Sequence, residues 1–216
     1  TFVSDSVNPF DMLRICEGAA LRVLTGTPLR WCCFYNGGFL PWHGHTEKLQ
    51  ALLTPKKAVW DEAEKVSADF CLKVSLQGQL SFSGQLAGLD NGTKRKIKKA
   101  VEFYKKHQKL IQCSIREQLT PIASIQDRSG WSAFYIHSSD CREGLFFAFR
   151  LDSSETAMRF RLPAAALGGH YRITDYDTGE TFEGGAEELS GSGIVPEIPE
   201  KNSGIILYFL NEARRL

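Results

Sequence analysis

The 216 residues carry 26 Lys and Arg against 25 Asp and Glu, a net charge of +1, with 43% apolar and 24% charged residues. That balance suits a globular protein of one large or two small domains. Nothing in it suggests a polyanion partner: no basic stripe is broken by stacking aromatics, and the Lys/Arg run from Lys94 to Lys109 reads as the solvated face of an amphipathic helix. No apolar stretch approaches the roughly 20 residues that cross a bilayer, so no membrane partner is expected.

In chain order, Thr1-Phe2-Val3-Ser4-Asp5 reads as a buried strand ending on a Ser-Asp pair. A carboxylate just past the C-terminal end of a strand is where a (β/α)8 barrel places catalytic residues. By position alone, such an Asp is more often a turn or helix cap. Asn8-Pro9 starts a helix that breaks at Thr25-Gly26-Thr27-Pro28. Trp31-Cys32-Cys33-Phe34-Tyr35 is a continuous apolar run, as in a strand buried on both faces. The spacing of Val59, Ala63, Val66 and Phe70 predicts a helix from about Pro55 to Phe70. Leu80-Ser81-Phe82-Ser83-Gly84 is a short strand, and Asp90 can cap a third helix with Ile97, Val101, Tyr104 and Ile111 on one side. Strand–helix repetition argues for a parallel sheet covered by helices.

From Ser114 onward the helical pattern stops. Trp131–His137, Leu145–Leu151, Met158–Leu162, Tyr171–Asp175, Thr181–Glu183 and Ile205–Leu210 read as strands, with Asp177-Thr178-Gly179 as a hairpin turn. Short strands joined by Gly, Asp and Ser turns imply an antiparallel β-sandwich. Trp131 and the Phe146, Phe147 and Phe149 cluster suit its core better than a sugar-binding surface. The fold class is therefore α/β followed by all-β. The six cysteines (Cys16, Cys32, Cys33, Cys71, Cys113, Cys141) lack a CxxC pair and regular spacing. They read as reduced thiols of an intracellular, cytoplasmic protein.

Two segments resemble a known family. Phe2-Val3-Ser4-Asp5-Ser6-Val7-Asn8-Pro9-Phe10-Asp11-Met12-Leu13-Arg14-Ile15 is similar to the region around the acid/base Asp of family 36 glycoside hydrolases, the bacterial α-galactosidase (melibiase) family. There the pattern is roughly Trp-Thr-Ser-Asp-Asn-Thr-Asp, followed by a helix containing Glu-Arg-Leu. Gly88-Leu89-Asp90 and the run from Ile97 to Ile111, with its Tyr104-Lys105 pair, resemble the family's last barrel helix. A C-terminal antiparallel β-domain follows in both. The chain departs at Asn8, where the family has a second Asp, and at Met12, where it has an Arg. It departs again at Asn36-Gly37-Gly38-Phe39-Leu40-Pro41-Trp42-His43, where the family carries an Asn-His-Gln type motif.

The resemblance implies that residues 1–112 are the last three βα units of a (β/α)8 TIM barrel and 113–216 a C-terminal antiparallel β-sandwich. Asp5 then maps onto the general acid/base of a retaining glycosidase, which pairs two carboxylates about 5–5.5 Å apart. The nucleophile is expected upstream of Thr1, so the chain is expected to be the inactive last part of a longer enzyme. The substrate implied is an oligosaccharide with a terminal α-galactoside, and no cofactor is implied. Trp42 beside Pro41 can serve as a stacking platform for sugar, although a packed loop anchor is the commoner role. His43-Gly44-His45 lacks a third ligand at metal-binding spacing, so no metal is expected. Three βα units cannot close a barrel. They are expected to associate with a second copy or with the missing barrel part. The alternative from a different class is a carbohydrate-binding or structural β-sandwich with a vestigial barrel segment.

Overall fold

Parallel strands in one sheet need a crossover long enough to carry the chain back, and a helix usually supplies it. In the computed structural model, which describes residues 32–33, 67–80, 90–121, 123, 127–167 and 169–211, the first described pair is of this kind. Strand β1 (Cys32–Cys33) runs parallel to β2 (Gln79–Leu80), with Cys32 opposite Gln79 and Cys33 opposite Leu80. Helix α1 (Ala68–Ser75) directly precedes β2. The chain divides into two units, the described residues up to Gln108 in the first and those from Lys109 in the second.

The Ser67 hydroxyl starts α1 by accepting from the Phe70 amide at 3.1 Å. The helix expected to end at Phe70 therefore has its cap three residues earlier, and Phe70 lies in its first turn. The rest of that expected helix, residues 55–66, lies outside the described residues. Phe70, Cys71, Leu72, Lys73, Val74 and Ser75 are all buried. Buried Lys73 is held by Asp69, one turn back, at 2.6 Å. Helix α2 (Asn91–Cys113) opens with three basic residues, Lys94, Arg95 and Lys96, against the positive end of its dipole. Asp90 offsets them. Its carboxylate accepts from the Thr93 amide at 2.9 Å and the Thr93 hydroxyl at 2.5 Å. These bonds, the hydroxyl's first, hold the Asp90 carboxyl below its ordinary range. Ala100, Tyr104, Leu110 and Ile111 form the buried stripe of α2, while Ile97 and Val101 are half-buried at its flank.

The second unit is built on one six-stranded antiparallel sheet. Its strands are β3 (Ile115–Gln118), β4 (Trp131–His137), β5 (Glu143–Arg150), β6 (His170–Asp175), β7 (Thr181–Gly185) and β8 (Ser203–Asn211), in the spatial order β3-β4-β5-β8-β6-β7. One face carries Trp131, Ala133, Tyr135, Phe146, Ala148, Leu207, Phe209, Tyr171 and Ile173. The opposite face carries Phe134, Phe147 and Phe149, all fully buried, with Phe134 and Phe147 stacked at 4.8 Å. Burial on both sides explains why β4 and β5 are continuous apolar runs. Each such side chain contributes roughly 1.5–3 kcal/mol.

Over the first face lies an irregular layer instead of the second sheet that a sandwich requires. A 3-10 turn (Pro163–Leu167), helix α3 (Ala186–Gly191) and two isolated bridges, Ala157 with Glu197 and Phe160 with Ile194, make it up. The segment Met158–Leu162, expected as a strand, pairs at Phe160 alone. Its partner segment carries Gly193 and Pro196, and a proline has no N–H to extend a ladder. Gly193 sits at φ +74°, where a Cβ would collide with the Phe160 carbonyl, so only glycine fits. Buried Arg150 ties this layer to β5. Its guanidinium donates to the Ile198 carbonyl at 3.0 Å, to the Pro199 carbonyl, and to the Ser153 carbonyl at 2.8 Å.

The buried side of α2 also holds His107, whose ring packs on Phe103 at 4.5 Å. Removal from water, and secondarily the Lys106 charge, bring its imidazole from the usual 6.5 down to about 4. Between those values the unfolded chain binds a proton that the folded chain excludes. Stability therefore falls as pH drops from 6.5 to about 4 and levels off below. His107→Phe keeps the ring and removes the titration, so urea melts across that window should show a flatter slope than the native chain. Equal slopes would refute the assignment.

Candidate functional site

The two residues that the sequence nominates for chemistry, Asp5 and Trp42, lie outside the described residues, as does His43-Gly44-His45. What is described of that region is the strand pair β1 and β2. Strand β1 lies within the run expected as a strand at Trp31–Tyr35, whereas β2 shares only Leu80 with the one expected at Leu80–Gly84, whose other residues are outside the described ones; the two pair in parallel. The chain beyond their C-terminal ends, residues 34–66 and 81–89, is again outside the described residues.

In the second unit, polar side chains gather at the β3–β4–β5 end of the sheet. The turn after β4 is closed by the Ser138 hydroxyl, which accepts from the Arg142 and Glu143 amides at 3.1 Å each. That turn puts Cys141 into the left-handed region (φ 53°), 3.7 Å from His137 Nδ1. His137 Nδ1 lies 2.9 Å from the Ser138 carbonyl, so the tautomer protonated there donates to it. The Tyr171 hydroxyl donates to the Cys141 carbonyl at 2.9 Å. Tyr135 stacks beside His137 at 5.5 Å, and its hydroxyl lies over Gly144, where a Cβ would strike it. Glu117 is its cross-strand partner.

This cluster resembles a thiol–imidazole pair, yet its chemistry is closed. Cys141 is 2% exposed and His137 4%. Burial first, then Tyr171, Cys141 and Glu117, pushes the Tyr135 phenol well above its usual range, so it remains neutral. Three polar atoms here, Tyr135 Oη, His137 Nε2 and Glu117 Oε2, have no hydrogen-bond partner among the described residues. The arrangement is a buried polar seam in an apolar core. Elsewhere, burial pushes the Cys71 thiol up to about 12, which rules it out as a nucleophile. Among the described residues no three His, Cys, Asp or Glu side chains are placed to hold a metal ion.

Trp131, Phe146, Phe147 and Phe149 are all buried, so they pack the core and offer no stacking surface to a sugar. The described residues of the second unit include a groove of about 410 Å³, lined by Phe182, Val195, Ile194 and Pro196 with Glu180, Glu183 and Glu188. The sequence reading passed over it. Its one signal was Phe182 on the strand face that Gly184 turns toward the core.

No protein-family model and no curated protein matches the sequence. Solved structures do match the fold. The galactosidase domain of an α-galactosidase–sucrose kinase aligns with 96% of this chain at 17% identity, covering 25% of its own chain, with a TM-score of 0.61. A GH36 α-galactosidase variant from Geobacillus stearothermophilus in complex with raffinose aligns with 67% of this chain at 18% identity, over 19% of its length, at 0.53. The α-galactosidase from Lactobacillus brevis aligns with 67% at 16% identity, over 20% of its length, at 0.53. The fold thus resembles part of the GH36 α-galactosidases. The chain spans about a fifth to a quarter of their length.

The polar seam makes a direct prediction. A buried hydroxyl without a partner costs stability. Tyr135→Phe should therefore leave the folding free energy unchanged or raise it by up to about 1 kcal/mol. A clear loss in denaturant melts would show that the oxygen has a partner.

Proposed function

We propose that this chain forms part of a retaining glycoside hydrolase acting on terminal α-galactosides of oligosaccharides. Residues 1–112 would supply the last three βα units of its TIM barrel and 113–216 its C-terminal β-domain. The observation that carries the reading is the fold likeness to GH36 α-galactosidases across 96% of the chain. It is joined by the Ser4-Asp5 segment, which independently resembles that family's acid/base region. The parallel β1–β2 pair is compatible with barrel strands, and the closed polar seam leaves the β-domain a non-catalytic part.

In this reading Asp5 is the general acid/base. It protonates the departing glycosidic oxygen, then takes a proton from the water that hydrolyses the glycosyl-enzyme. The nucleophilic carboxylate belongs to the preceding part of the barrel, no cofactor takes part, and Trp42 is assigned to stack on the sugar. We place the enzyme in the cytoplasm, in keeping with Cys71, Cys113 and Cys141 not being joined in disulfides. The departures at Asn8, Met12 and residues 36–43 locate its substrate preference.

The test is Asp5→Ala in the enzyme that contains this chain. Hydrolysis of an unactivated α-galactoside should fall by about 10²–10⁴. Added azide should restore turnover of an aryl galactoside and yield the α-galactosyl azide, because azide enters where water normally attacks. Undiminished hydrolysis, or no rescue product, would remove Asp5 from the role.

A further inference from the structure

Phe182 and Val195 are large apolar side chains left 45% and 50% exposed, and both line the groove beside the β6–β7 hairpin. Ile173 and Leu207, both buried, form its floor. The exposed carboxylates of Glu180, Glu183 and Glu188 form its rim, and no Lys or Arg lines it. On that rim Glu183 lies 2.8 Å from His170 Nε2. A carboxylate-rich rim around an apolar floor selects a partner with long aliphatic stems and cationic tips, which are lysine and arginine.

The chain itself presents that surface. On α2, Arg95, Lys98, Glu102, Lys105 and Lys109 recur every three or four residues, and all are exposed. They form one stripe along the helix. Glu102 is the single acid in it, 3.9 Å from Lys98. We infer that the acidic groove of one copy receives the basic stripe of α2 from a second copy. The two surfaces differ, so the contact is head-to-tail and grows into a ring or a chain of copies. A groove of about 410 Å³ admits a few side chains and not a whole helix. The association is therefore weak and sensitive to salt. It stands independently of the glycosidase reading.

Sedimentation velocity of the 216-residue chain over a concentration series tests it. At about 0.01 M salt, where charges act over about 30 Å, the sedimentation coefficient should climb with concentration. At about 1 M, where they reach about 3 Å, it should not. Glu180→Lys/Glu188→Lys and Lys105→Glu/Lys109→Glu should each weaken self-association at least about tenfold, the equivalent of 1.4 kcal/mol. Mixed together, the two variants should associate again, since each reversed surface then meets its opposite. Circular dichroism checks that both remain folded. A native chain that stays monomeric, association unchanged in either variant, or a mixture that does not associate would each overturn the inference.

Discussion

The second unit depends on where its last strand sits. β8 lies between β5 and β6, with Ser203 to Leu210 paired to β5 and Leu207 to Asn211 paired to β6. Without it, β3, β4 and β5 form one ladder and β6 and β7 another, with no pairing between them. The strand that joins the halves follows the other five in sequence, so the sheet is assembled from long-range contacts. Arg150 of β5, the strand β8 pairs with, holds the Ile198 and Pro199 carbonyls a few residues before β8 begins, and so ties the covering layer to the sheet.

That dependence explains which parts of the fold were legible. Strands β4 and β8 show as apolar runs because they are central and mostly buried, and their expected limits match the observed ones to within two residues. Asp177-Thr178-Gly179 marks its turn because Gly179 takes φ +74°. Strand β3 escaped notice because Ile115-Arg116-Glu117-Gln118 is an edge strand with polar side chains; Arg116 lays its guanidinium over the Phe134 ring, 3.5 Å from its centre. Its apolar contact is made by an aliphatic stem and a cation, which no periodicity detects. Helix α3 is too short for a helical period to register. Of the candidate site, Asp5 and Trp42 were nominated by local motif and lie outside the described residues, so their geometry was never legible from either direction. The groove around Phe182 was illegible for another reason. Its walls come from three separate segments that only tertiary structure brings together.

Low identity and a shared fold are compatible when the constraints are of this kind. A central β8, a buried aromatic stack and a capped α2 can be met by many sequences, whereas groups that touch a sugar cannot. In the proposed enzyme the division of labour follows the same line. We assign the proton-transferring carboxylate to Asp5, and no catalytic part to the sheet domain, whose own polar cluster is buried. The departures from the family pattern, at Asn8, Met12 and residues 36–43, precede the segments that form the six-stranded sheet, and we assign the substrate preference to them.

The stereochemistry of the sugar released by the enzyme containing this chain tests the central claim most directly. Double displacement through a glycosyl-enzyme gives net retention. Proton NMR at early times, before mutarotation, should therefore show the α-anomer of galactose appearing first from an α-galactoside. First appearance of the β-anomer, or no cleavage of any α-galactoside, would contradict the account.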